Sequence, residues 1–240
     1  MPNSVLRQRI GQIILTVVGI VVAVSCGSEP PNELQLAACR TSKNLCKDTM
    51  TRDLLAVPDI ATNEALRAYL ISKDNVHNSP FRTKTNGIND LDALIHGLYL
   101  VKGLYGINPV FALALSIHES NWGRSRIAKD KANLWGYGAK DSCPYDCAYE
   151  FSTYAEGFNR VFFRIKSSYL TEGGKFYQDC SDNREVICAD GRKRASNACG
   201  LSLAGMNCRY ASDSSWGDKI RLQMNNINNF LQDRCEDYSI

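Results

Sequence analysis

The sequence predicts a mainly helical domain of the α+β class in which disulfides staple irregular loops. Apolar residues recur at three- and four-residue steps in several segments, which is the helical period. Ten cysteines are spread over 240 residues of otherwise ordinary globular composition, with 44% hydrophobic and 22% charged residues. The sequence shows no internal repeat or low-complexity tract, so we expect one folded domain that follows an N-terminal extension.

Residues 1–25 have the pattern of a secretory signal peptide. Arg7 and Arg9 are the only charges before Cys26, and the run from 13 to 24 is almost entirely apolar. Twelve residues rise about 18 Å as a helix, which is too short for a hydrocarbon core of about 30 Å. We therefore expect export, with a signal peptide rather than a spanning anchor.

The end of this segment, "AVSC", is similar to a bacterial lipobox, in which Cys26 becomes the lipidated first residue. This predicts a membrane-anchored lipoprotein of the cell envelope, with plain secretion as the alternative. Residues 26–60 are then a lipid-anchor and linker segment, because "GSEPPNE" is linker-like. The folded domain is predicted to occupy residues 61–240.

The cysteines of an exported chain indicate a disulfide framework. With Cys26 lipidated nine remain, and short loops suggest the pairs Cys39–Cys46 and Cys143–Cys147. Cys143 and Cys147 have near zinc-finger spacing, but no second Cys or His pair follows at ligand spacing. We therefore predict no metal site and no cofactor.

The overall charge gives no reason to expect a nucleic-acid partner. The formal net charge is +3, and removal of Arg7 and Arg9 with the signal peptide leaves 26 basic and 25 acidic residues. Nucleic-acid binding requires a clear excess of basic residues on one face.

The first helices are predicted from periodicity and capping residues. One helix begins near Thr62, and residues 72–87 are a predicted loop rich in Asn, Ser, Pro and Gly. Asn89 or Asp90 caps a second helix that ends at Gly106. Asn108-Pro109 begins a third helix that is apolar on nearly all sides, which predicts burial, and that delivers Glu119 at its C-terminal end.

The second half alternates irregular and helical segments. The basic stretch 123–131 is predicted to be a solvated linker, and 143–151 a short hairpin or an ordered loop clamped by its two cysteines. Thr153 and Glu156 have capping-box spacing before a helix. Residues 171–208 show no clear periodicity, so disulfides must hold them compact, and the last helix begins near Ser214.

Glu119 has two physical reasons for a raised pKa. Apolar surroundings disfavour the charged carboxylate, and the partial negative charge of a helix C-terminus adds to this effect. A carboxylic acid that stays protonated near neutral pH suits the cleavage of a glycosidic bond, because the leaving oxygen must receive a proton. The alternative is an ordinary helix that ends in a polar turn.

Aromatic and amide side chains follow Glu119 within 35 residues. Sugar rings have apolar faces and polar rims, so this mixture suits a saccharide cleft. His118-Glu119 does not begin a zinc-protease motif, since the second His would stand at position 122, which is Trp. The predicted substrate-binding residues are Asn121, Asn133, Trp135, Tyr137, Tyr149, Tyr154 and Tyr210.

The order of these motifs resembles the bacterial peptidoglycan endo-β-N-acetylglucosaminidases, the group that contains staphylococcal autolysin glucosaminidases and flagellar-rod hydrolases. The resemblance covers about Thr62 to Leu231. It rests on motifs in the family's order, which are "YGINPVFALALSIHES", Glu119-Ser120-Asn121-Trp122-Gly123, Ser125 to Ala128, Asn133-Leu134-Trp135-Gly136-Tyr137, Gly173-Gly174-Lys175-Phe176 and "MNCRYASDSSWGDKI".

The resemblance implies a lysozyme-like, two-lobed, mainly α domain with a cleft, so that 61–240 is a glucosaminidase catalytic domain. It implies hydrolysis of the β-1,4 bond after N-acetylglucosamine in peptidoglycan glycan strands, with Glu119 as the general acid. The sequence departs from the family pattern at Asn121, Trp135 and Tyr137, which replace Gly, Phe and Ile, and in the insert Cys180–Cys208.

The second catalytic group has several candidates. The candidate acids that follow the helix are Asp141, Asp146, Glu150 and Glu156. Asp146 and Glu150 fall in the segment where some members of the family that the chain resembles carry a second acid, and Glu150 is slightly favoured. Glu156 is expected to be used in its helix cap, and the substrate's own N-acetyl group is a further possibility. The alternatives for the whole protein are a lytic transglycosylase and a peptidoglycan-binding lipoprotein without catalysis.

Overall fold

Seven helices and one two-stranded antiparallel sheet make up the regular structure of the residues that the computed structural model describes, which are 54–55, 61–77, 81, 84–85, 88–182, 184–195 and 198–237. The elements are α1 (Asn63–His77), β1 (Lys84–Thr85), β2 (Ile88–Asn89), α2 (Asp90–Tyr105), α3 (Pro109–Ser120), α4 (Arg126–Lys131), α5 (Tyr154–Tyr169), α6 (Leu203–Tyr210) and α7 (Trp216–Asp237). The predicted mainly helical fold, consistent with a lysozyme-like domain, is confirmed.

The predicted signal peptide (1–25), the predicted lipidation of Cys26 and the predicted pair Cys39–Cys46 concern residues outside those that the structure describes. Leu54 falls in the predicted 26–60 linker, yet it is buried in the core and its backbone bonds to Leu201 and Asn108. The packed domain therefore includes a residue before 61, and the predicted boundary is corrected.

None of the helices in the described ranges is long and apolar enough to cross a membrane.

α3 is the central helix, and every residue from Pro109 to Ile117 is buried. Its start matches the prediction, because the Asn108 side chain accepts from the Val110 backbone N–H at 2.8 Å and Pro109 follows at the first turn. α7 packs along α3, while α2 packs mainly against α5. Gly97 permits that second contact, since a Cβ atom there would lie 2.3 Å from the Phe158 ring.

Three predictions about elements are corrected. α1 continues to His77, so the predicted 72–87 loop begins later. α6 (Leu203–Tyr210) forms inside the segment predicted to lack periodicity, where the Ser202 hydroxyl accepts from Gly205 N–H and caps the helix. The predicted linker 123–131 contains α4, which Ser125 caps in the same way.

Disulfides hold the irregular segments. Cys143–Cys147 closes an ordered loop as predicted, and Cys180–Cys199 and Cys188–Cys208 staple the segment before α6. One half of the predicted capping box at α5 is present, since the Thr153 hydroxyl accepts from Glu156 N–H at 3.2 Å, but the Glu156 side chain bonds to Ser152 instead of the Thr153 N–H. The Glu156 carboxylate accepts two bonds from Ser152, which lower its pKa and keep it in the cap.

Candidate active site

Glu119 lies in the last turn of α3, where the buried helix reaches the edge of the core. Its side chain is partly buried, and its Oε1 atom accepts a hydrogen bond from the Trp216 indole Nε1–H at 2.9 Å. Trp216 is the first residue of α7 and is itself buried. The start of one helix therefore fixes the carboxyl group at the end of another.

The pKa of Glu119 is raised above that of an ordinary glutamate. Burial is the largest cause, because it disfavours the charged form. The hydrogen bond from Trp216 and the charge of His118 both lower the pKa, but by less than burial raises it. The environment therefore favours the protonated acid relative to an exposed glutamate.

Tyr210 is close enough to Glu119 to sense its charge. Burial raises the pKa of the Tyr210 phenol well above its usual value, and the negative charge of Glu119 raises it further. The Tyr210 ring lies 4.7 Å from the Trp216 ring and 5.5 Å from the Tyr169 ring, measured between centroids. This places the predicted Tyr210 beside the acid as a neutral phenol.

The turn after Glu119 has a strained backbone. Asn121, Trp122 and Gly123 have φ values of 51°, 61° and 71°, which are all left-handed. This conformation is uncommon for residues other than Gly, Asn and Asp, and such strain concentrates at functional sites. It has a local support, because the buried Ser120 hydroxyl donates to Ser116 O at 2.5 Å and accepts from Gly123 N–H at 2.7 Å.

Asn121 is exposed at this turn, as its predicted role requires. Its side-chain oxygen accepts a hydrogen bond from the Arg124 guanidinium at 2.6 Å, and its backbone oxygen accepts another at 3.0 Å. Arg124 was predicted to belong to a solvated linker, but the structure gives it this contact with the turn.

Asn133 is fully buried, so the prediction of direct contact with a substrate is corrected. Its amide N–H groups donate to the backbone oxygens of Tyr137 and Tyr149 at 3.0 and 2.8 Å, and its oxygen accepts from Tyr137 N–H at 2.9 Å. Asn133 therefore joins two loop segments, and those segments carry the exposed aromatics.

Trp135 and Tyr154 are also core residues rather than surface contacts. Trp135 packs edge-on against Phe158 and Phe162, with centroids at 4.8 and 5.8 Å. Tyr154 is buried against Phe81, and burial raises the pKa of its phenol. These two aromatics were predicted to bind substrate, because the sequence does not distinguish an aromatic side chain that packs in the core from one that stacks on a sugar.

Tyr137 and Tyr149, two of the predicted substrate-binding residues, are both at least partly accessible to solvent. Their rings lie 5.3 Å apart, and Tyr149 is 51% exposed while Tyr137 is half-buried against Phe151. The backbone bond from Tyr149 N–H to Tyr137 O, at 2.8 Å, holds the two residues in register. The pair offers an apolar surface of the kind that a sugar face can contact.

The two candidates for the second acid are both exposed, in adjacent parts of one loop. Asp146 lies inside the Cys143–Cys147 ring. Glu150 lies between Tyr149 and Phe151, whose backbone N–H groups bond to Tyr137 O and Lys131 O at 2.8 and 2.9 Å. The backbone is thus held by Tyr137 on one side of Glu150 and by the last residue of α4 on the other.

Three residues of this region escaped the sequence reasoning. Trp216 was not among the predicted site residues, although its place in the "SDSSWGDKI" motif was a usable signal. Ser120 is the residue after the acid, and its role needs the turn geometry. Lys131 was assigned to a solvated linker, but its ammonium donates to Tyr145 O and Ala148 O at 2.7 and 2.9 Å.

Within the described part of the chain, no group of three or more His, Cys, Asp or Glu side chains could hold a metal ion. The groups found together at the site are the Glu119 carboxyl group, the Trp216 indole and the Tyr210 phenol.

Comparison with known proteins gives two curated relatives from Streptococcus pneumoniae, one from serotype 4 strain TIGR4 and one from strain R6. Both carry the name "Putative endo-beta-N-acetylglucosaminidase". Each is 38% identical over 127 residues, which is 53% of this chain but only 16% and 15% of the respective relatives. The chain thus spans about one sixth of the length of these relatives.

A family comparison matches residues 99–229 with the family described as Glucosaminidase, mannosyl-glycoprotein endo-beta-N-acetylglucosaminidase. The matched range runs from α2 to α7 and contains Glu119, Tyr210 and Trp216. It covers more than half of the chain, and it includes the motifs on which the sequence resemblance rests. The chain therefore belongs to the glucosaminidase family.

Proposed function

We propose that the protein is a cell-wall glycoside hydrolase that cleaves the β-1,4 bond after N-acetylglucosamine in peptidoglycan, with Glu119 as the general acid. The observation that carries this proposal is the partly buried Glu119 carboxyl group, whose pKa burial raises and whose Oε1 atom is fixed by Trp216. The family membership and the names of the two relatives support the substrate class.

The hydrogen bond from Trp216 also determines where the acidic proton resides. Oε1 accepts the indole N–H at 2.9 Å, so the proton of the neutral acid belongs on Oε2. From Oε2 the proton is delivered to the leaving glycosidic oxygen as the bond to the sugar carbon breaks. The resulting carboxylate is stabilised by the same indole donor, which lowers the cost of the charge that forms.

Glu150 is our preferred second acidic group, ahead of Asp146. Its support is the backbone pairing on both sides of it, with Tyr137 through Tyr149 and with Lys131 through Phe151. In this role its carboxylate would activate the water or stabilise the positive charge that develops on the sugar ring. If neither acid is required, the N-acetyl group of the substrate supplies the nucleophile.

We further propose that the protein is exported and anchored in the envelope by a lipid on Cys26. Three disulfides in the described residues support export, because such bonds persist in oxidising compartments. The lipid anchor has its support in the "AVSC" pattern alone.

Mass spectrometry of a peptidoglycan digest tests the reaction. We expect reducing N-acetylglucosamine ends from the wild-type protein and a loss of about 10²–10⁴-fold in rate for Glu119→Gln. Glu172→Gln is the control, because Glu172 is an exposed glutamate outside this site. Anhydro-muramyl ends would instead identify a lytic transglycosylase, and binding without cleavage a non-catalytic lipoprotein.

A further inference from the structure

A cavity of about 400 Å³ lies beside the turn that follows Glu119, between α1 and α7. This volume is within the range of about 300–1,000 Å³ that is usual for small-molecule sites. Trp122 contributes to its lining, while Glu119, three residues earlier, faces Trp216. The cavity and the catalytic carboxyl group thus share one turn, but they use different residues of it.

Aromatic side chains line one side of the cavity. The Tyr69 ring lies 6.1 Å from the Trp122 ring and 5.4 Å from the Phe230 ring, measured between centroids. Tyr69 and Trp122 are buried, and Phe230 is the most accessible of the three. A ligand that enters the cavity would meet the Phe230 ring and the accessible edge of Trp122.

Amide side chains line the other side. Gln223, Asn226 and Asn229 follow one another at steps of three residues on α7, so they lie along one face of the helix. In the part of the chain that the structure describes, their side-chain amides make no hydrogen bond to protein groups. Each amide can therefore both donate to and accept from a ligand.

The charges around the cavity cancel. Lys73 and Asp233 both contribute to the lining, and the Lys73 ammonium lies 5.8 Å from the centroid of the Tyr69 ring. One cation and one anion leave no formal net charge on the lining. A neutral, polar ligand therefore fits the site better than a phosphate or another strongly charged group.

We propose that this cavity binds an N-acetylhexosamine residue of a glycan strand at a site separate from the point of cleavage. A pyranose ring presents C–H groups to the aromatic side, and its hydroxyl and acetamido groups can pair with the amides of α7. The choice of a glycan strand as the ligand rests on the proposed function. Because both sites adjoin one turn, a single strand can occupy both, which increases its residence on the protein.

The three tryptophans allow the two sites to be observed separately. Trp122 lines the cavity, Trp216 contacts Glu119, and Trp135 is packed in the core. The Glu119→Gln variant is used so that the ligand is not cleaved. It is titrated with tri-N-acetylchitotriose while the three indole N–H signals are followed by NMR. Each signal is assigned from a Trp→Phe substitution.

We expect the Trp122 signal to shift as ligand is added. The double variant Asn226→Ala/Asn229→Ala should raise the Kd from this titration roughly tenfold, because two hydrogen bonds to the ligand are lost. Asn225→Ala is the matched control, since it makes the same change on α7 outside the cavity lining. Thermal unfolding of each variant establishes that it is folded.

A Trp122 titration that is unchanged in the double variant overturns the proposal, and so does a response confined to Trp216. The proposed function fails separately, if the wild-type protein leaves peptidoglycan uncut. If the protein binds through Asn226 and Asn229 but does not cleave, the cavity proposal stands and the proposed function fails. If it cleaves but shows no Trp122 response, the proposed function stands and the cavity proposal fails.

Discussion

At the scale of single residues, the protonation of Glu119 is set by a competition between burial and one hydrogen bond. Burial raises its pKa and the Trp216 indole lowers it. The position of Glu119 was predictable, because a buried apolar helix that ends in Glu is visible in the sequence. Its contact with Trp216 was not, since 97 residues separate the two and only the fold brings them together.

Trp216→Phe should raise the pKa of Glu119 further, because it removes a donor that stabilises the carboxylate. We expect the alkaline limb of the pH–rate profile to move to higher pH. We also expect the maximal rate to fall about tenfold, the loss of one charge-assisted hydrogen bond. A lower rate with an unmoved alkaline limb would mean that Trp216 serves packing alone.

Glu119→Gln should stabilise the protein at neutral pH. Folded Glu119 has the raised pKa, so the folded wild type binds more protons than the unfolded chain between the two pKa values. Its stability therefore falls as pH rises from about 4.3, the ordinary Glu value, through the raised pKa, and is constant on either side. The glutamine has no charge to desolvate and is free of this loss.

Urea unfolding at several pH values measures the difference between the two proteins. As pH rises through that window, the free energy of unfolding of Glu119→Gln should increasingly exceed that of the wild type. The exposed control Glu172→Gln should follow the wild type. A difference that does not vary with pH would contradict the pKa shift of Glu119.

At the scale of elements, polar side chains that are fully or partly buried hold the loops that carry Tyr137 and Tyr149. Asn133 joins the Tyr137 and Tyr149 segments, and Lys131 joins α4 to the Cys143–Cys147 loop. The helices were predictable from periodicity and caps, apart from their ends. These loop contacts were not, since a polar residue near an active site looks the same in sequence whether it faces the ligand or the backbone.

Lys131→Met should loosen the 143–151 loop. The ammonium donates to two backbone oxygens and lies 4.6 Å from the Tyr145 ring centroid, and methionine replaces none of the hydrogen bonds. We expect a severalfold higher KM with a nearly unchanged kcat, because the loop carries Tyr149 but not the acid. Faster limited proteolysis within the loop should accompany this change.

Lys129→Met provides the matched control, because Lys129 is exposed on the same helix. Equal effects from the two substitutions would show that the loss of charge on α4, rather than the two backbone contacts, causes the change.

At the scale of the whole molecule, disulfides stabilise the segment between α5 and α6 that has little regular structure. The sequence predicted the need for such bonds and, among the cysteines that the structure describes, the short pair Cys143–Cys147. It could not supply Cys180–Cys199 and Cys188–Cys208, because pairing among many cysteines follows from the fold and not from spacing.

Removal of Cys188–Cys208 by paired Ala substitutions should reduce the free energy of unfolding by about 3 kcal/mol, the loop-entropy value for a ring of this size. The same change at Cys143–Cys147 should cost less, about 2 kcal/mol, because its ring is shorter. Chemical unfolding measures both. The reverse order of stability losses would contradict the entropic explanation.

Activity should also fall in the variant that lacks Cys188–Cys208, since Cys208 lies on α6 two residues before Tyr210.

Leu54 has a mechanical consequence for the domain. Its carbonyl accepts from Asn108 N–H at 2.9 Å, where α3 begins, and its own N–H donates to Leu201 O at 2.6 Å, just before α6. The far ends of those two helices carry Glu119 and Tyr210. Leu54 thus links the start of α3 to the residues just before α6. A chain shortened to begin at residue 61 would lose both hydrogen bonds, and the position of Glu119 relative to Tyr210 would be less well fixed, although Leu54 bonds near the opposite ends of their helices.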